Sequence, residues 1–111
     1  MKIEKSLLSG STPMLVLSLL KDGDKYGYEM VEALAKRSDD TFLQKEGTLD
    51  PLHHTLEKNH YVTSYTKQTP SGRERKNYRH TSQGRGYLDH KESERRVFSE
   101  KVNTVLGFSG A

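Results

Sequence analysis

The sequence predicts a mainly α-helical chain that carries one two-stranded β-hairpin and closes with a long helix. Three observations lead there. Apolar residues recur at helical spacing in three segments before residue 60. Tyr61–Thr66 then turns to β-branched and aromatic residues and runs into Gly, Pro and Ser turn chemistry. From Ser82 onward a sparse heptad seam continues to about Leu106.

The first helix is expected after Thr12-Pro13, with Thr12 as cap and Pro13 in the first turn. Met14, Leu15, Val16, Leu17, Leu19 and Leu20 make it apolar nearly all round, so it belongs at the centre of the core. Lys21-Asp22-Gly23-Asp24 ends it. A second helix runs from about Tyr26 to Arg37, with Met30, Val31 and Leu34 at helical spacing and Ser38-Asp39-Asp40 as its stop. Tyr28 reads as a packing residue of that helix, since large aromatics are usually buried. Thr48 is expected to cap a third helix reaching about Lys58, with Leu49, Leu52 and Leu56 on one face and Pro51 tolerated in the first turn. The hairpin follows, with Gln68–Gly72 as turn and Arg73–Thr81 as return strand. Tyr78 and His80 share parity and are expected to face the core, Asn77 and Arg79 to face outward. In the last helix, about Ser82 to Leu106, Leu88, Phe98, Val102 and Val105 fit heptad a and d positions, and Arg95 takes an a position.

At 111 residues there is room for one domain, and a hydrophobic share of 32% is a lean supply for a monomer's core. Pairing with a second copy is the usual remedy, and the terminal seam is the natural contact. With no cysteine, disulfides and thiolate metal sites are excluded and a reducing compartment is expected. Met14–Leu20, interrupted by Ser18, is too short to span a bilayer, and Met1–Lys5 lacks the features of a signal peptide. The expectation is a cytoplasmic protein with no membrane partner.

Charge is distributed unevenly. Between Tyr65 and Tyr87 six basic residues (Lys67, Arg73, Arg75, Lys76, Arg79 and Arg85) face one acid, Glu74, while the rest of the chain has a slight acidic excess. A basic block on an otherwise acidic protein points to a polyanionic partner. Three helices, a basic-tipped hairpin and a tail helix are the parts of a winged helix-turn-helix, whose third helix enters the major groove while the wing lies on the backbone or minor groove. Residues 1–81 then form a DNA-binding domain and residues 82–111 a dimerisation helix, in one compact unit. On this reading Thr48, Asp50, Pro51 and His54 lie near the base-reading end of the third helix, with Lys45 just before it. Arg73, Arg75 and Lys76 make phosphate contacts, Lys67 supports them, and Tyr26 reaches the backbone through its hydroxyl. Leu88, Arg95, Phe98, Val102 and Val105 carry dimerisation.

Gly23 with Tyr26-Gly27-Tyr28-Glu29, Gly47-Thr48-Leu49-x-Pro51-Leu52, Leu56-Glu57, Gly72-Arg73-x-Arg75-Lys76-x-Tyr78 and Thr81-x-x-Gly84 together resemble the PadR family of transcriptional regulators, over roughly Leu15 to Leu106. The single, short terminal helix resembles its compact branch, which includes multidrug-responsive repressors. The resemblance implies a winged helix-turn-helix, a homodimer built through the terminal helix, a palindromic operator, and repression relieved by a small aromatic or hydrophobic effector. Five positions depart from that pattern. Asp50 stands where the family has Tyr, His53 and His80 where it has aliphatics, Asn77 where it has Tyr, and Arg95 where it has Trp. Engineering or a divergent paralogue would each produce such a set.

Two alternatives use the same scaffold. Asp50, His53, His54 and His80 offer partial metal-ligand chemistry, though adjacent His53 and His54 point about 100° apart on a helix. Asp50 and Arg95 also fit an interaction module with impaired DNA binding. No GxSxG, Walker loop, cysteine nucleophile or HExxH is present, so neither a catalytic residue nor a cofactor is expected.

Overall fold

A computed structural model describes residues 1–108. A short helix not anticipated from the sequence, α1 (Lys5–Ser9), precedes α2 (Thr12–Leu19). Thr12 is not the cap of α2: it lies inside the helix, and its hydroxyl donates to the Leu8 carbonyl at 3.0 Å, tying α2 back to α1. The apolar circumference of α2 is used as expected. Val16, Leu17, Leu19 and Leu20 are all buried and meet Met30 and Leu34, Leu49 and Leu56, Val62 and Leu88 in one core. Each such side chain contributes about 1.5–3 kcal/mol on burial, so this cluster dominates the fold's stability.

After a 3₁₀ turn (Leu20–Asp22) come β1 (Lys25–Tyr26) and α3 (Gly27–Arg37). On α3 Met30 and Leu34 are buried, one turn apart, while Val31 is only partly so. Tyr28 lies about 200° round from Met30 and is 53% exposed, so the expected packing role is overturned.

The third long helix, α4 (Glu46–Lys58), begins before Thr48, and Lys45 takes the cap position. Lys45 O accepts from the backbone of Thr48 and Leu49 at 3.0 and 3.3 Å. Pro51 therefore falls in the second turn rather than the first, where its missing N–H denies the Gly47 carbonyl a helical partner. The buried stripe is Leu49, His53, Leu56; Leu52 is half-buried on its flank. The spacings of four and three residues fit the helical period, so the imidazole occupies a core site.

The hairpin forms as β2 (Val62–Gln68) and β3 (Glu74–His80). Gly72, at φ +83°, adopts the left-handed conformation the turn requires. The sheet has three strands rather than two, in the order β1-β3-β2, all antiparallel. Central placement of β3 corrects the expected exposure of Asn77. Asn77 lies opposite Tyr26 on one side and Tyr65 on the other, and these aromatic neighbours cover it to 8% exposure. Tyr78 and His80 are half-buried on the face toward α4, and Arg79 is exposed.

α5 (Ser82–Leu106) closes the chain. Thr81 Oγ1 accepts from Gly84 N at 2.9 Å and donates to His60 O at 2.6 Å. A Cβ on Gly84 would stand 2.0 Å from the Tyr61 carbonyl oxygen, so only glycine lets the first turn of α5 lie against the entry to β2. This gives the Thr81-x-x-Gly84 spacing its physical reason. Tyr61 and Tyr87 stack beside it at 4.3 Å. Gly84 and Leu88 are the only buried residues of α5, so Leu88 serves its own chain's core and is not available to a seam between copies. No helix among the described residues is long and apolar enough to cross a membrane.

Candidate nucleic-acid interface

The N-terminal ends of α3 and α4 and the outer half of the hairpin enclose one open groove of about 650 Å³. Tyr26, Gly27 and Tyr28 form its floor, Glu46 and Asp50 one wall, and Arg73, Glu74, Arg75, Lys76 and Tyr78 the other. Backbone geometry places Tyr26 here: it precedes α3, and its N–H donates to the Glu29 carboxylate at 3.0 Å, fixing the start of that helix. The Arg75 guanidinium lies 4.3 Å above the Tyr26 ring, a cation–π contact that holds the arginine while leaving donors free.

Tyr26, Asp50, Arg73, Arg75 and Lys76 are thus brought together. The other expected residues are not in this groove. Thr48 lines a separate cleft of about 220 Å³ between α1, α2 and α4. Lys45, Pro51 and His54 are exposed along α4. Lys67 stands opposite Arg75 across the hairpin. Tyr28, expected in the core, and Glu46 belong to the groove instead.

The charge of the groove is mixed. Glu46, Asp50 and Glu74 oppose Arg73, Arg75 and Lys76, and Lys76 is also paired with Glu57 at 3.4 Å. Asp50 has a side chain 66% exposed, so its carboxylate faces whatever enters.

Beneath the groove, His53 is 2% exposed and neither ring nitrogen has a hydrogen-bond partner. Its ring lies 4.8 Å from that of Tyr78, and Nδ1 is 4.0 Å from Asp50 Oδ1. Burial pushes its pKa down; Asp50 pulls it up and Lys76 again down, so the ring is held neutral. His80 is likewise lowered, first by burial and then by Arg85, and its Nδ1 is unpartnered. Among the described residues no three His, Asp or Glu side chains lie close enough to hold a metal ion, so Asp50 and His53 lack a third ligand.

A second groove, of about 760 Å³, runs between α2 and the outer part of α5. Met14, Leu15 and Phe108 give it an apolar side, and Arg95, Arg96 and Asn103 a polar one. Arg95 Nη1 donates to Ser99 Oγ at 2.9 Å. Glu92 pairs with Lys21 at 2.9 Å and Glu94 with Lys91 at 3.1 Å, and among the described residues Arg95 forms no ion pair with either. Phe98 (66% exposed) and Val105 (86%) lie open to solvent with Val97 and Leu106; Val102 is half-buried.

Comparison with known proteins agrees with this architecture. The sequence model described as "Transcriptional regulator PadR-like family" matches residues 16–90. A transcriptional regulator from Clostridium thermocellum is similar in structure, with a TM-score of 0.84 and 32% identity over 92% of this chain and 96% of that one. A PadR family transcriptional regulator from Eggerthella lenta has a TM-score of 0.81 and 33% identity, covering 91% of this chain and 86% of that one. An uncharacterized protein of Lysinibacillus sphaericus is 33% identical over 86 residues, 78% of this chain and 79% of its own length.

Proposed function

This chain belongs to the PadR-like family of transcriptional regulators, a non-enzymatic family, and from that membership we propose that it is a homodimeric repressor acting on a palindromic operator. A small aromatic or hydrophobic effector, lodged in the groove between α2 and α5, releases it. One observation carries the DNA-binding side of this reading: the first turns of α4 and the cationic tip of the hairpin border the same groove. A duplex lying there touches both. Arg73 and Arg75 set affinity and register through phosphates, while exposed α4 side chains, His54 among them, face base edges and the Asp50 carboxylate meets a phosphate.

Dimerisation is supported by the unpartnered outer half of α5, with Phe98 and Val105 in the open. The effector assignment is supported by size: a groove of about 760 Å³ lies within the roughly 300–1,000 Å³ range of small-molecule sites.

The test is fluorescence anisotropy with a labelled fragment of the gene's own promoter across a salt series. Binding that falls steeply with salt supports the reading, because each phosphate neutralised releases condensed counterions. No binding at low salt sinks it. Asp50 favours a second reading, in which the scaffold has kept its fold and lost much of its DNA affinity. A tight wild-type complex would dispose of that alternative.

A further inference from the structure

The hairpin is gripped on both faces by carboxylates that lie outside it. Asp24, just before β1, accepts from the Tyr65 hydroxyl at 2.7 Å and from Arg79 Nε at 3.1 Å and Nη2 at 3.0 Å. Glu57, on α4, accepts from the Ser64 hydroxyl and pairs with Lys76 Nζ at 3.4 Å. In the strand register Tyr65 lies opposite Asn77 and Ser64 opposite Tyr78. Side chains alternate along a strand, so Tyr65 and Arg79 leave one face of the ribbon and Ser64 and Lys76 the other.

We propose that Asp24 and Glu57 are positioning residues that set the angle of the hairpin against α4, so that the wing cations and the recognition helix reach a duplex in one register. This rests on the DNA-binding reading above. A two-stranded ribbon is a weak spring by itself, and β1 supports β3 only at Tyr78 and Asn77. Beyond those residues the ribbon has no third strand. Two anchors pulling on opposite faces resist bending in both directions, which one anchor does not. Each acid also lies beside a hairpin cation, so a purely electrostatic account makes both unfavourable for binding a polyanion. The two accounts therefore differ in sign.

The chain has no cysteine, so Ser71→Cys in the hairpin turn provides a unique attachment point for a nitroxide label. Two further variants are built on that labelled protein. Tyr65→Phe with Ser64→Ala removes one hydroxyl donor from each face and leaves the net charge unchanged. Asp24→Asn with Glu57→Gln removes the carboxylate charges themselves. We expect both to show a more mobile label in the free protein while circular dichroism and melting temperature stay close to the reference. Promoter affinity should fall about tenfold in both, with the slope against salt retained, because the same phosphates are contacted once the wing has been placed.

An unchanged label in the hydroxyl-deleted pair overturns the proposal, as does tighter promoter binding by the carboxylate-deleted pair. If the reference protein itself fails to bind the promoter, the regulator reading fails separately, and label mobility in the free protein still decides whether the two carboxylates hold the hairpin.

Discussion

His53 and His80 are the residues whose chemistry fits their surroundings least. An unsatisfied buried polar group costs about 1–3 kcal/mol, and His53 offers two bare nitrogens to an apolar site. Replacing His53 with Leu and His80 with Ile should raise the melting temperature by several degrees; differential scanning calorimetry reads it directly. The same pair imposes a pH dependence. Burial lowers both folded-state pKa values below 6.5, so in the window beneath 6.5 the unfolded chain binds more protons than the folded one. Stability is therefore fully present above that value and falls as pH drops, levelling off once the folded-state groups titrate too. The double replacement should flatten this slope, and a slope that survives it would place the titration elsewhere. Asp50 belongs to the same scale. A carboxylate facing phosphates is repelled where a hydroxyl would donate, so Asp50→Tyr should tighten promoter binding roughly tenfold or more, given about 1.5–3 kcal/mol for charged hydrogen bonds. A titration with the labelled fragment tests that gain.

Gly84 shows how much one element depends on a single absent methyl group. Gly84→Ala puts a Cβ 2.0 Å from a backbone carbonyl that cannot swing away, because Tyr61 O also accepts from Thr81 N at 3.1 Å. The first turn of α5 must shift, and a loss of about 3 kcal/mol is expected in chemical denaturation. The hairpin has its own sensitivity. Hydrogen bonding from Tyr65, then Arg79, lowers the pKa of Asp24 below the ordinary 3.8, and the bond from Ser64 lowers that of Glu57 below 4.5. Both contributions are present above those ordinary values and vanish as pH falls through the depressed ones. A nitroxide at position 71 should accordingly gain mobility in acid, as pH falls through those depressed values. The helices α3 to α5 and the β2–β3 hairpin were legible from periodicity and turn residues, and α2 from its nearly unbroken apolar run behind Thr12-Pro13. α1, with five residues, and β1, with two, are too short to show any period. Without β1 the parity argument treated β3 as an edge, and so misplaced Asn77. The anchoring roles of Asp24 and Glu57 were not legible in the sequence, although Glu57 belongs to the family pattern, because their partners are 41 and 7 residues away and meet them only through the fold.

At the level of the molecule, a lean apolar supply still leaves Val97, Phe98, Val105 and Leu106 exposed together on the outer part of α5. A Phe98→Glu replacement puts a charge where the proposed pair buries an aromatic ring. Sedimentation should then report monomers, and promoter affinity should fall about a hundredfold as the gain from two linked half-sites is lost. Dimers that persist in this variant would move the contact off α5. The site was less legible than the fold for a related reason. The charge pattern and the winged-helix reading identified the wing cations Arg73 and Arg75, yet the same groove also holds Tyr28 and Glu46, whose roles depend on how two helix ends converge. The sequence pattern showed Glu74 inside the basic block and Asp50 on α4, but not that Glu46 joins them in the same groove.

The 25 residues of α5 rise about 1.5 Å each and so make a rod of about 37 Å. When two copies join along such rods, the join acts as a ruler, fixing how far apart the two reading heads stand. One residue added before the join slides a head by about 1.5 Å and swings it by about 100°, out of phase with a duplex that repeats every 34–36 Å. In the proposed homodimer the length of α5 thereby selects which spacings of half-sites the protein can occupy.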